Sequence, residues 1–293
     1  MNIISASRRT DIPAFYSDWF MKRLDEGFVK YKNPFNQKIY SANISPNDVL
    51  AIVFWSKDFN PLIKHLDRLD KNYRFYFHFT ITGHPKIFEH STPSVEKAID
   101  TFKILSERYS PYHVIWRFDP IIFSNVTPLN YYIEKFNYIS NKLKGYTHSC
   151  YFSFVQAYYS KVRRQFAIIE TNSNIKFMKP STEDQIYLLN FMKEASKQCG
   201  MILYSCCQNQ FADSQIKKAS CIDKHLLEKL FPNINFPIKK NPTRKECGCY
   251  KSIDVGAYDT CPHGCVYCYA NINKDKALNY FETHQQNAVS LYF

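Results

Sequence analysis

Near the end of the sequence, the stretch DTCPHGCVYCYAN carries Cys261, Cys265 and Cys268, separated by three residues and then by two. That spacing lets three thiolates converge on one centre. A structural zinc ion takes four protein ligands, and His263, inside the loop, is badly placed to bind the same ion as its neighbours. Three cysteines on a four-iron cluster leave one iron without a protein ligand, open to a molecule that carries an amine and a carboxylate. A second group, Cys206, Cys207, Cys221, Cys247 and Cys249, lies upstream. Within it Cys206, Cys221, Cys247 and Cys249 form a candidate set for a second site, iron–sulfur or zinc. Unrelated buried cysteines would account for the same residues, since free cysteine packs well in cores. Cys150 and Cys199 read as core.

The elements that must position these thiols alternate along the chain. Strand-like runs fall at 2–7, 49–55, 73–82, 112–118, 150–158, 201–206 and 252–258. Helix-like runs fall at 18–27, after Asn60-Pro61, at 94–109, from Thr127-Pro128 to Gly145, from Ser181 to Gly200 and near 223–231. Asn60 is expected to cap its helix, with Pro61 in the first turn. About seven strand–helix units imply an α/β fold with a parallel sheet, because parallel neighbours need a crossover. The count fits a TIM-like barrel, complete or open, with a doubly wound open sheet as the alternative. One domain spans 1–293; within it, 206–250 is a cysteine-bearing auxiliary metal region and 252–285 a cluster-binding strand–helix unit.

Either architecture gathers its site at the C-terminal ends of the strands. Arg9 and Asp11 follow the first strand, Lys57 the second, Arg117 and Asp119 the fourth, and Gln156 the fifth. Each has a plainer explanation: a structural ion pair for Arg117 and Asp119 and for Arg9 and Asp11, a solvated loop lysine for Lys57. His78, on the third strand, reads as a packed histidine rather than a ligand.

A formal net charge of +12 points to an anionic partner, nucleic acid first, although a basic composition without that purpose gives the same number. Ten cysteines without an export signal favour metal or redox chemistry over disulfides and predict a cytoplasmic protein. No apolar run approaches the roughly eighteen residues of a membrane helix.

The segment CPHGCVYCYA, with Tyr267 just before the last cysteine, resembles the cluster loop of the radical S-adenosylmethionine superfamily, in particular its spore photoproduct lyase-like branch. Through SRRTDIPAFY, FWSKD, WRFDP, SCID and DVGAYDTCPHGCVYCYAN, nearly the whole chain is similar to a bacterial family catalogued as domain of unknown function 1848. In the superfamily the cluster loop follows the first strand of the barrel, whereas here it follows the last. The resemblance therefore implies a circular permutation, with the strand at 252–258 lying beside the strand at 2–7. It further implies a 4Fe–4S cluster on Cys261, Cys265 and Cys268, and S-adenosylmethionine gripped by Arg9, Asp11, Tyr267 and Gln156. Arg9, Asp11, Lys57, Arg117 and Asp119 become the candidate catalytic set, and a flavodoxin or ferredoxin the electron donor. A 5′-deoxyadenosyl radical would then take hydrogen from a substrate, with nucleic acid one class. The usual Gly-Gly-Glu-like strand end is absent, and the chain has seven glycines. The competing expectation is a non-catalytic nucleic-acid-binding protein stabilised by zinc or iron–sulfur centres.

Overall fold

In the computed structural model, which describes residues 1–156, 159–272 and 274–292, eight strands form one parallel sheet. In chain order the strands are β1 (Asn2–Ala6), β2 (Phe28–Lys32), β3 (Ile39–Asn43), β4 (Val49–Ser56), β5 (Phe75–Thr80) and β6 (Val114–Ile121). There follow β7 (Ser149–Phe154), β8 (Ile202–Ser205), β9 (Ile216–Lys218) and β10 (Ile253–Asp254). The sheet runs β10-β1-β4-β5-β6-β7-β8-β9, and β2 and β3 form a separate antiparallel hairpin. From β1 to β9 the order ascends without the reversal that defines a doubly wound sheet. The sheet does not close into a complete barrel: β9 and β10 are its edges, and with three and two residues they are too short to offer each other a ladder. Among the described residues no helix is long and apolar enough to cross a membrane.

Side chains alternate across each strand, and the two faces of the sheet meet different partners. One face, with Ile52, Phe54, Phe77, Trp116 and Phe152, packs on the helices through Phe20, Phe102, Phe136 and Met192. The other carries Ile3, Val53, Tyr76, Ile115 and Tyr151, and is covered by Ile222, Leu227 and Phe236 together with all five upstream cysteines. Burial on both faces is why β4 reads as an unbroken apolar run. The same alternation sets Trp55, His78, Arg117 and Cys206 on this second face, near the C-terminal ends of their strands.

Several local expectations need correction. Phe59, not Asn60, caps the helix 60–63, and a second short helix at 66–72 replaces the single one expected. The helix of the strand–helix unit expected at 252–285 spans 274–283. The hairpin, β9 and the helix 160–172 were not anticipated; each is short, polar or without clear periodicity.

β10 joins the sheet at the chain's widest sequence separation. It pairs in parallel with β1 through Ile4–Ile253 and Ser5–Asp254. The Asp254 carboxylate is buried in this seam. Its Oδ1 accepts from Ser7 Oγ at 2.6 Å, from Arg9 Nη2 at 3.1 Å and from the Gly256 backbone at 3.1 Å. Its Oδ2 accepts from Ser5 Oγ and from the Arg8 backbone, each at 2.9 Å. Burial would raise this carboxyl, but Arg9 and Arg8 outweigh it and hold it at about 2. Gly256 completes the seam by close approach, since a Cβ there would lie 2.0 Å from Ser7 Oγ. Removing one partner of a buried ionic cluster leaves the others uncompensated, at a cost of about 3–5 kcal/mol. Asp254→Ala should therefore lose stability on that order in urea unfolding, while a loss below about 1 kcal/mol would show that the seam does not depend on this charge.

Candidate metal centre

The three-cysteine loop hangs from the end of β10 and is clamped to its surroundings on all sides. Thr260 Oγ1 meets Thr10 Oγ1 at 2.6 Å, and its carbonyl accepts from Tyr16 OH at 2.6 Å. A backbone bridge joins Cys265 to Glu89, supported by Val266 N donating to the Phe88 carbonyl at 3.0 Å. His263 Nε2 hydrogen-bonds with Asp11 Oδ2 at 2.7 Å and its Nδ1 lies 3.0 Å from the Ser91 carbonyl. With both ring nitrogens engaged, the loop's histidine is a strut and not a metal ligand. Asn271 donates to the Cys261 carbonyl at 2.6 Å. The three thiols are thereby left partly exposed on the wall of a cavity of about 980 Å³.

Asp11 is the strut's counterpart. Its Oδ1 accepts from Ala14 N at 3.0 Å and Ser56 Oγ at 2.7 Å, and its Oδ2 also accepts from Lys57 N at 2.9 Å. The contacts to Ser56, Lys57 and His263 tie the ends of β1 and β4 to the cysteine loop, and the contact to Ala14 caps the helix 12–15. Arg9 is committed to Asp254 and lies 5.5 Å from the Tyr258 ring centre. Both residues stand where the sequence places them, at the cavity, with their polar groups engaged inside the protein.

The upstream cysteines meet on the opposite wall. Cys206 Sγ lies 3.9 Å from Cys221 Sγ. Cys207, Cys247 and Cys249 pack in the same buried cluster, with the Cys249 backbone donating to Cys247 Sγ at 3.4 Å, so the five thiols gather into one loose ring. Cys207, left out of the expected set of four, has a left-handed backbone with φ of 55°. That turn lets two successive residues, which on a strand would face opposite ways, contribute thiols to one ring. Two guanidiniums donate to the sulfurs: Arg117 Nη1 to Cys221 at 3.1 Å and Arg244 Nε to Cys207 at 3.0 Å. Arg117 also pairs with Asp119, which accepts from Ser153. Arg117 and Asp119 thus serve the five-thiol wall, and Gln156 joins it by donating to the Cys207 carbonyl at 3.3 Å. Among the described residues no three His, Cys, Asp or Glu side chains are set out to hold a single metal ion.

A family profile described as "Domain of unknown function (DUF1848)" matches residues 3–270. The chain belongs to the DUF1848 family. No curated protein and no solved structure is significantly similar to it.

The DUF1848 cavity contains one charged pair that the sequence half-reveals. Lys57 is no solvated loop lysine: its Nζ lies 2.9 Å from Glu89 Oε1, and both side chains are largely buried. Glu89 also accepts from Thr82 Oγ1 at 2.8 Å and from the hydroxyl of Tyr267. Tyr267, expected to face a cofactor, lines the cavity with its hydroxyl anchored on that carboxylate. Glu89 lies in a segment with no motif, and only its bridge to Cys265 brings it to the site. His78 behaves as a packed histidine: it stacks on Trp55 at 5.1 Å and donates to the Cys221 carbonyl at 2.8 Å. Burial and the nearby Arg117 push it down to about 3, so it stays neutral. Cys150 and Cys199 lie in the helix-side core, as expected.

Burial would raise the Glu89 carboxyl, but Lys57, His84 and Tyr267 bring it from an ordinary 4.5 down to about 2. A carboxyl lowered on folding contributes stability above its unfolded value and loses it as pH falls through the folded one. The shift corresponds to about 3 kcal/mol. Glu89→Gln should be less stable than the parent above about pH 5, with the gap narrowing between pH 4.5 and 2. Denaturant midpoints across that range measure it, and two parallel curves would refute the assignment.

Proposed function

We propose that this DUF1848 protein is a radical S-adenosylmethionine enzyme whose cluster is held by Cys261, Cys265 and Cys268. The observation that carries the reading is the position of the loop. It follows β10, which lies in parallel beside β1, so the strand order β10-β1-β4-β5-β6-β7-β8 is that of a partial barrel whose first unit has moved to the chain's end. The donor set fits a cluster with one iron free of protein: three free thiols sit in one short loop, and its histidine is engaged elsewhere. When bound and reduced, such a cluster cleaves the sulfonium of S-adenosylmethionine and delivers a carbon radical that takes hydrogen from a substrate.

The residues of this chain supply placement and exclusion of water. Asp11 and His263 hold the loop against β1 and β4. Lys57 stands beside Cys265 and brings positive charge to that thiolate. A cavity of about 980 Å³ suits a cofactor with part of a substrate. An external one-electron donor of the flavodoxin or ferredoxin kind is required, since the chemistry is reductive.

The test is anaerobic reconstitution with iron and sulfide, followed by dithionite and S-adenosylmethionine, with Cys268→Ala as control. The expected result is 5′-deoxyadenosine from the parent and at least a hundredfold less from the variant. The parent's reduced cluster should also change its electron paramagnetic resonance on adding S-adenosylmethionine, a readout that needs no substrate. An iron-loaded parent that shows neither response would overturn the proposal.

A further inference from the structure

The ring formed by Cys206, Cys207, Cys221, Cys247 and Cys249 has no part in the chemistry assigned to the loop, and it is a site in its own right. We infer that it binds a second iron–sulfur cluster, one whose irons are all held by protein and which borders the same cavity. The inference rests on the ring alone and is independent of the reading of the loop.

The first support is convergence. Five buried free thiols, drawn from the end of β8, the segment after β9 and the stretch before β10, close on one another without a disulfide. Stray core cysteines have no reason to meet from three separate segments. The second is charge. Thiols are weak acceptors, whereas a guanidinium is permanently charged and asks for an anion. Arg244 is partly buried, and its partners are Tyr159 and the sulfurs of Cys207 and Cys206. Arg117 turns one nitrogen to Asp119 and another to Cys221. Arg8, paired to Asp254, lies in the field of Cys221 and Cys249. A cluster on thiolates carries negative charge on its sulfurs, and hydrogen bonds to those sulfurs tune its potential. The arginines are arranged for such an occupant and not for neutral thiols.

The third support is size. The 3.9 Å edge between Cys206 and Cys221 equals that of a zinc tetrahedron, about 3.8 Å for bonds of about 2.3 Å. No third donor closes on the same point, however, so the thiols do not form the tetrahedron of a single zinc ion. Thiols spread over one cluster rather than about one point suit a polynuclear centre. Four thiols saturate its irons and one remains beside them, so this centre keeps no open iron, in contrast to one held by the loop. Its chemistry is electron storage or transfer next to whatever occupies the cavity.

The decisive preparation is the full chain with Cys261→Ala, Cys265→Ala and Cys268→Ala combined, reconstituted anaerobically with iron and sulfide. The expected result is about four irons with matching sulfide per chain and a broad absorption that bleaches with dithionite. The parent should hold about twice that iron, and Cys221→Ala with Cys249→Ala should lose the half retained by the triple variant. Should the triple variant not fold, iron and sulfide analysis of Cys221→Ala with Cys249→Ala against the parent decides the matter, because only loss of the ring's cluster removes about four irons there. Arg244→Gln should keep its iron while the midpoint potential of this cluster becomes more negative. A folded triple variant without iron, a parent whose iron is unchanged by Cys221→Ala with Cys249→Ala, or stoichiometric zinc without sulfide in the triple variant would each overturn the inference. None of these outcomes bears on 5′-deoxyadenosine formation, so failure here is distinguishable from failure of the loop's reading.

Discussion

A single largely buried carboxylate fastens the last strand of the sheet to the first. Asp254 accepts hydrogen bonds from Ser5, Ser7, Arg8, Arg9 and Gly256, so the two-residue strand β10 is fastened to β1 by side chains far more than by its ladder. An edge strand this short has little pairing of its own. The ionic seam gives the cysteine loop a defined origin, and the contacts of Asp11, His263 and Glu89 then set its direction. A buried ion cluster need not add net stability relative to an apolar one. Its use here is to specify one alignment of two strands, because a one-residue slip would turn every side chain of β10 to the wrong face.

The second organising fact is the asymmetry of the sheet. Helices cover one face, while the other is packed by a segment rich in cysteine and poor in secondary structure. The cavity lies between that segment and the loop, with thiols on both walls and most of its charges already paired. Arg9, Lys57 and Arg117 each face a carboxylate, which limits how strongly the interior attracts further anions.

Much of this was legible in the sequence. The strands 49–56, 75–80, 114–121 and 149–154 announce themselves by continuous apolar runs, and the rule that sites gather at strand ends brought Arg9, Asp11, Lys57, Arg117, Asp119 and Gln156 to one cavity. The pairing of the last strand with the first was also readable. Roles were harder, because they depend on partners distant in sequence. Asp254 opens the segment DVGAYDTCPHGCVYCYAN without standing out in it, Glu89 lies in a stretch without a motif, and the importance of both comes from what they accept. Cys207, named in the second group, falls outside the expected set of four because adjacent residues on a strand diverge, and only the left-handed turn at that position brings its thiol round. Closure of the barrel could not be judged from periodicity, since strands of two and three residues leave almost no pattern.

The pairing of Ser5 with Asp254 spans 249 positions of chain. The rest of the sheet ascends in chain order and can zip up from neighbouring segments as they appear, whereas this contact must await nearly the whole polypeptide. Loop closure over such a span carries a large entropy cost, and non-local pairings form slowly. During synthesis the outer edge of β1 therefore stays open, a row of unsatisfied backbone groups able to recruit another chain. The three-cysteine loop cannot take its place until that edge is covered. In this topology, placement of the loop belongs to the last act of folding rather than to its beginning.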